Sequence, residues 1–357
     1  MPTLYTADEI LRLGLLRCLT TDKEMDRRKR STNEEDFSAA YGPLPKVVAE
    51  LWSLLQTTNN LVEHQIHDAC CIKDFFVALH WLRNYPTERK RKVELHISRM
   101  TARKWSWYYT RKLSALKDEI ITLPEEWDTT FTMTVDGVHF LCNGLNHPEY
   151  QIDTEAYSHK FGNAGLAYEI GISIFEQKVV WVNGPFKAGT SDKVIFEKHG
   201  LKDNIPAGKR ALADKGYRKM EECVSYPNSL DTDDVRAFKE QALARHEIFN
   251  GRLKRYKILT NRFRSKHNTK YKPVVEEDQT EFVIDPDEDS EDEDDDEGGD
   301  GEEEGNDDEG EAVDEDEDQH LTDDEFKFKH DRHKACFGAA VVICQIEMTM
   351  GSTLFVV

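Results

Sequence analysis

Between residues 276 and 325 the chain carries 31 Asp or Glu and no Lys or Arg. A segment with one sign of charge, repeated Gly and almost no large apolar residue cannot bury enough surface to offset the entropy of ordering it. It divides the foldable chain into 1–275 and 326–357. The residues that follow it, HKACFGAAVVICQIEM, are apolar nearly all round. That pattern predicts a buried helix rather than a surface one. The acidic stretch therefore reads as a disordered insertion (276–325) into one domain, which residues 326–357 complete with a helix and a strand.

The charge balance changes meaning once the insertion is set apart. The 357 residues have a net charge of −22, but the chain without 276–325 carries +9. The foldable part is basic, and basic globular surfaces commonly meet nucleic acid. No run approaches the roughly 18–20 apolar residues that span a bilayer, so no membrane role is expected. Seven Cys, an odd count scattered along the chain, and no N-terminal signal segment argue against a secreted disulfide-built fold. Six Trp and 17 Phe are enough to fill a core. The expectation is a soluble intracellular protein.

Residues 1–60 are expected to be helical segments joined by a basic arm. Residues 7–18 and 46–56 have helical apolar spacing, whereas 19–36 do not. The run Arg27-Arg28-Lys29-Arg30 reads either as a solvated charge run or as a phosphate-binding or nuclear-import patch. It would place the protein in the nucleus if the source is eukaryotic, and otherwise in the cytoplasm. Residues 61–120 have the outline of a helix-turn-helix DNA-binding region. An apolar helix (DFFVALHWLRN) precedes a short basic helix (ERKRKVEL), a turn at His96-Ile97-Ser98, and a second basic helix with Ala102, Trp105, Tyr109, Leu113 and Leu116 on one face. In such a unit the N-terminal residues of the last helix reach the bases. Arg99, Arg103 and Lys104 are the candidates here, and a helical bundle with a charged exterior is the alternative.

From residue 129 the apolar period falls to two. Segments 129–136, 166–175 and 178–183 read as strands, 190–199 as a helix, a short strand ends at Ala213-Asp214, and a long helix covers about 232–258 with Asp231 as N-cap. Strands followed by alternating strand and helix predict a mixed α/β sheet with flanking helices over 129–275. Three acids stand out by position. Asp136 ends a strand before Gly137, Asp214 ends another before Lys-Gly-Tyr, and Glu247 sits mid-helix in RHEIFNGRLKRY. Carboxylates converging from two strand ends and a facing helix can hold two divalent cations for in-line phosphoryl transfer. Magnesium suits oxygen ligands that leave room for water and phosphate. Lys254 follows Glu247 by two helical turns and can reach a phosphate beside them.

In order, TVDGVHF, YSHKFGNAGLAYEI, GPFKAGTSD, LADKGY, HEIFNGRLKRY and FGAAVVICQIEMTMGSTLFVV resemble the DDE-superfamily transposases, in the group that joins certain bacterial insertion-sequence transposases with PIF/Harbinger-like elements. The resemblance covers about 72–357 apart from the insertion. It implies an RNase H-like catalytic domain behind the helix-turn-helix region, two Mg2+ (or Mn2+) ions, and cleavage and rejoining of double-stranded DNA at element ends. By motif, the catalytic and metal-binding triad falls on Asp136, Asp214 and Glu247, and the Glu-x6-Lys spacing on Glu247 and Lys254. Three features depart from the family pattern, one of them an insertion much longer than a usual loop. Leu243 and Ala244 stand where an Arg usually precedes the Glu, and Ser191-Asp192 replaces His-Asp. The implied activity is a transposase-like endonuclease and strand transferase. The alternative is a host-recruited DNA-binding protein that keeps the fold without transposing. A homo-oligomer and a separate DNA-binding partner protein are both compatible with this reading. His64, His67 and Cys71, with Cys70, have one-sided helical spacing that matches no standard zinc module, and packing is preferred. His139 and His159 are assigned to packing or a hydrogen bond.

Overall fold

The computed structural model describes residues 4–18, 21–58, 71–127, 129–141, 157–158, 162–261 and 323–355. His64, His67, Cys70, His159 and all but the last residues of the 276–325 insertion lie outside these segments.

The N-terminal part is helical. It contains α1 (Ala7–Cys18), α2 (Asp22–Arg27), α3 (Arg30–Tyr41), α4 (Pro45–Thr57), α5 (Ile72–Asn84), α6 (Glu88–Leu95), α7 (Arg99–Ala115) and α8 (Lys117–Ile120). Residues 19–36, read from sequence as a flexible arm, instead carry α2 and most of α3. The reason is local. Thr21 and Glu24 form a reciprocal capping box at the start of α2, while Phe37 and Tyr41 of α3 enter the core. The Arg27–Arg30 run joins these helices, and two of its cations are paired: Arg28 with Asp36 (2.7 Å) and Arg30 with Asp8 (2.6 Å) and Glu34 (2.8 Å).

Aromatic rings fill the core of this region. Phe37, Tyr41 and Phe76 form one contact group, and Trp52, Phe75 and Tyr109 another. Helices α6 and α7 are joined by three residues. His96 takes a left-handed conformation (φ 51°), and Ser98 caps α7 by accepting from the Thr101 N–H at 3.0 Å. Buried Arg91 of α6 donates to Ser106 Oγ of α7 at 2.6 Å and lies over the Trp81 ring. These contacts fix one helix against the other.

The sheet begins with β1 (Phe131–Leu141), then β2 (Tyr157–Ser158), β3 (Asn163–Ser173) and β4 (Val179–Lys187). Helices α9 (Asp192–Lys198) and α10 (Leu201–Asn204) follow. Next come β5 (Arg210–Leu212), a 3-10 turn (Lys215–Tyr217), β6 (Val224–Ser225), α11 (Asp233–Leu253) and α12 (Lys257–Thr260); α13 (Asp323–Thr349) begins in the last residues of the 276–325 stretch, and no strand follows it among the described residues. The mixed sheet runs β2-β3-β1-β5-β6, with β4 also paired to β3. Strands β1, β3 and β4 are antiparallel neighbours, and β5 and β6 run parallel to β1. Because β1 and β4 pair with overlapping residues of β3, they occupy its opposite edges.

Each face of the sheet has its own cover. Met133, Val135, Ala211 and Ala213 meet Phe196, Leu201, Tyr217 and Met220 on the side of α9, α10 and the 3-10 turn. On the other side Leu212 meets Ala242, Phe238 and Leu243 of α11, and Tyr168 stacks on Phe337 of α13 at 3.7 Å between centroids. The expected buried helix after the insertion is α13, with Cys336, Phe337, Ala339–Cys344 and Met348 all in the core. Gln345 secures it to the sheet by accepting from the Val179 N–H at 2.6 Å. The helical region packs on the same side: Lys46 donates to the Met350 carbonyl at 2.7 Å, and Arg332 lies over Trp107.

The long helix differs from expectation at both ends. Its N-cap is Thr232, not Asp231, since Thr232 accepts from the Val235 N–H. The Asp231 carboxylate is engaged instead by Lys239 at 2.8 Å and by the Asn228 N–H at 3.0 Å. The helix stops at Leu253, and Lys254 is its C-cap.

Candidate active site

Strand register brings two of the three singled-out acids together. Thr134 of β1 pairs with Leu212 of the parallel β5. The Ala213 N–H continues the ladder to Ser225, and Asp214 is still extended (φ −79°, ψ −176°). Asp136 and Asp214 are each two residues past that pair, on strands about 4.8 Å apart. Period-two alternation puts Asp214 on the face of Leu212, which lies under α11. Asp136 points the same way, because Asn250 of α11 donates Nδ2 to its Oδ2 at 3.4 Å.

Asp214 is exposed and caps the turn that follows, accepting from the Gly216 N–H at 2.7 Å. Tyr217 anchors that turn in the core, which leaves Lys215, Arg218 and Lys219 exposed just past the carboxylate. Glu247 lies on α11 one turn before Asn250, with its side chain exposed, and Lys254 is exposed one turn after it. Among the described residues, no group of three or more His, Cys, Asp or Glu side chains is close enough to hold a metal ion. The geometry thus brings Asp136 and Asp214 onto one face under α11, and places Glu247 on that helix without closing a three-carboxylate cluster.

Sequence reasoning missed Asn250. No local spacing marks it, because it follows the exposed Glu247 by three residues and its contact with Asp136 is tertiary. Asn250 is 6% exposed, and its Oδ1 is buried with no hydrogen-bond partner among the described residues. His246 beside it is fully buried, and desolvation depresses its pKa to about 4. Arg245, two residues before Glu247, is buried and donates to the Ile174 and Glu176 carbonyls. It ties α11 to the end of β3 rather than reaching solvent.

The other face of the sheet carries a second acidic group that the sequence reading also missed. Glu169 of β3 lies opposite Gly137 of β1. It is 1% exposed, and burial, followed by the Asp192 charge, raises its pKa to about 8 against the lowering effect of a Trp181 hydrogen bond at 2.9 Å.

In the helical region, Arg99 and Lys104 at the start of α7 are exposed. Arg103 is not: its guanidinium makes a two-point contact with Glu88 of α6 at 2.9 and 3.0 Å, and only 16% of the side chain is exposed. Cys71 is the N-cap of α5, with its Sγ donating to Asp74. His139 shares a hydrogen bond with Ser158 at 3.1 Å, as the packing-or-hydrogen-bond reading anticipated.

Residues 135–276 match the family model described as DDE superfamily endonuclease, a stretch that contains Asp136, Asp214 and Glu247. The match supports membership in the DDE transposase superfamily and, with it, a transposase-like nuclease in general terms. Neither the comparison with curated proteins nor that with solved structures finds a match. Among the described residues, no helix is long and apolar enough to cross a membrane.

Proposed function

We propose that this chain is a metal-dependent DNA endonuclease and strand transferase of the PIF/Harbinger-like kind, with an RNase H-like catalytic domain that uses Asp136, Asp214 and Glu247. One observation carries the reading: the family match spans all three acids, and the β1–β5 register sets Asp136 beside Asp214 under the helix that bears Glu247. The sheet order supports the fold assignment. Three antiparallel strands (β1, β3, β4) are followed by two strands parallel to the first, with the acids at the β1–β5 junction.

The donor chemistry fits magnesium or manganese. The side chains offered are carboxylates and one amide, all oxygen donors, and Asn250, whose Nδ2 reaches Asp136, has a buried Oδ1 with no partner among the described residues. Asp136 and Asp214 would hold the cations, with Glu247 as third ligand. Bound cations supply charge stabilisation to the attacking and leaving oxygens of phosphoryl transfer. The chain's own residues do the positioning. Asn250 orients the Asp136 carboxylate, and the Gly216 N–H orients that of Asp214. Exposed Lys215, Arg218, Lys219 and Lys254 flank these acids and would neutralise DNA phosphates.

The α6–turn–α7 unit is assigned to DNA binding as a helix-turn-helix. Arg99 and Lys104 would contact DNA, while Arg103 braces α7 against α6 through Glu88. The test is conversion of supercoiled plasmid to open circle by the purified chain. Nicking with Mg2+ or Mn2+ that stops with excess chelator is the expected result, and no nicking with either metal on any DNA supplied would reject the reading.

A further inference from the structure

An ionisable side chain buried inside a sheet, facing away from the proposed catalytic acids, calls for a partner. Glu169 sits in the middle of β3 and is 1% exposed. Its Oε2 accepts from the Trp181 indole N–H, but its Oε1 is buried and has no partner among the described residues. It forms no ion pair with any described residue.

What lies against Glu169 follows from its strand neighbour. Gly137 is its antiparallel partner, so a Cβ on Gly137 would stand about 4.5–5.5 Å from that of Glu169. The space is taken: such a Cβ would fall 2.8 Å from Asp192 Cγ and closer still to its Oδ1. The absence of a side chain at Gly137 therefore admits the Asp192 carboxylate to the face of β1, within reach of Glu169. Tyr217 packs on this same face of the sheet, with Met133, Val135 and Ala213, and offers a further oxygen there. Tyr217 is fully buried, and its hydroxyl has no partner among the described residues. Its phenol is held neutral by burial and by the charges of Glu169, Asp192, Asp136 and Asp214.

We propose that Glu169, Asp192 and Tyr217 form a binding site for one divalent cation on the face of β1 opposite the Asp136 carboxylate. The donors are hard oxygens, and two carboxylates match the charge of a divalent ion. Asp192 is partly exposed at the start of α9 and gives solvent access to the otherwise buried group. An ion there would complete the unpartnered Glu169 and Tyr217 oxygens together. It would also clamp α9 and the 3-10 turn to the strand that bears Asp136.

The site is separable from the proposed catalytic acids by experiment. In a D136N/D214N/E247Q background, Tb3+ is titrated with excitation at the indole band. Trp181 touches Glu169 and serves as the sensitiser. The expected result is saturable emission from one ion, displaced by Mn2+, with affinity at least tenfold weaker after Glu169→Gln or Asp192→Asn. Gln keeps an acceptor for Trp181, so E169Q should fold, and circular dichroism checks this. A second arm uses thermal melting. Mn2+ should raise the melting temperature of the triple variant, and the rise should vanish with Gly137→Ala, whose methyl displaces Asp192. No Tb3+ emission and no Mn2+ stabilisation in the triple variant would overturn the proposal, as would binding unchanged by E169Q and D192N. Failure of DNA nicking by the wild-type chain would leave this result untouched, because binding is read in a protein without the catalytic acids.

Discussion

Asn250 of α11 donates from Nδ2 to Asp136 Oδ2 on β1 at 3.4 Å, across the junction of helix and sheet. This hydrogen bond ties the helix that carries Glu247 to the strand that carries the first acid. Asn250→Ala should leave the fold intact but lower metal-dependent nicking about 10–100-fold, the usual cost of losing a group that orients a ligand. The loss should appear as a higher metal concentration for half-maximal rate. A variant with wild-type metal dependence would assign Asn250 to packing alone.

The charged residues at the start of α7 separate by the same reasoning. Arg103→Ala should lower stability by about 1–3 kcal/mol, because it breaks a two-point charged interaction and leaves Glu88 only its longer contact with Arg91 at 3.9 Å. Denaturant unfolding measures this. Arg99→Ala with Lys104→Ala should leave stability nearly unchanged and weaken DNA binding. It should also reduce the salt slope by about two, since each phosphate left without its cation removes about 0.9. An unchanged slope would mean that α7 does not touch DNA.

Most of the architecture was legible in the sequence because it follows from period and composition. The apolar runs at 74–84 and 333–348 became most of α5 and the buried part of α13, and TTFTMTVD became the start of β1. The 19–36 segment was misread because its helices are held by a capping box and by Phe37 and Tyr41, not by a continuous apolar stripe. Glu169 escaped notice for a different reason. In an alternating strand a Glu reads as solvent-facing, yet β3 is covered on both faces and no local pattern shows that. Asp214 was found because turn residues mark the end of its strand. Asp136 was singled out as a strand end before Gly137, but β1 runs on through Gly137 to Leu141, because those residues stay paired with β3, so Asp136 lies mid-strand. Asn250 and the Glu88–Arg103 pair depend on tertiary contacts that spacing does not encode.

Acid should destabilise the fold through its buried histidines. Burial is the main cause that lowers the pKa of His246 to about 4 and that of His333 to about 3. Both titrate near 6.5 when unfolded. Each therefore contributes its full share of stability above pH 6.5, and that share is lost as pH falls through the folded-state value. For His246 the loss is at most roughly 3 kcal/mol between pH 6.5 and 4. Thermal melting across this window should show a decline that His246→Gln makes shallower. A melting temperature flat from pH 6.5 to 4 would contradict the burial of both rings as neutral groups.

The acidic stretch can be tested by its charge alone. Its 31 negative charges are tethered to a remainder of net +9, and Coulomb attraction reaches about 30 Å at 0.01 M salt but about 8 Å at 0.15 M. Replacing 280–322 by a short linker should preserve folding, since loop closure changes by only about 0.6 kcal/mol per halving of length. It should tighten non-specific DNA binding at low salt and matter less at high salt. Equal affinity at every salt concentration would make the tract a passive spacer.

The central claim is that Asp136, Asp214 and Glu247 act as one metal-dependent nuclease site. Its most direct measurement is plasmid nicking with Mg2+ or Mn2+ by the single variants Asp136→Asn, Asp214→Asn and Glu247→Gln, compared at DNA concentrations where each is bound as tightly as the wild type. Each substitution should abolish nicking while DNA affinity and melting temperature stay close to wild-type values. Nicking that survives in any one of the three variants would contradict that claim.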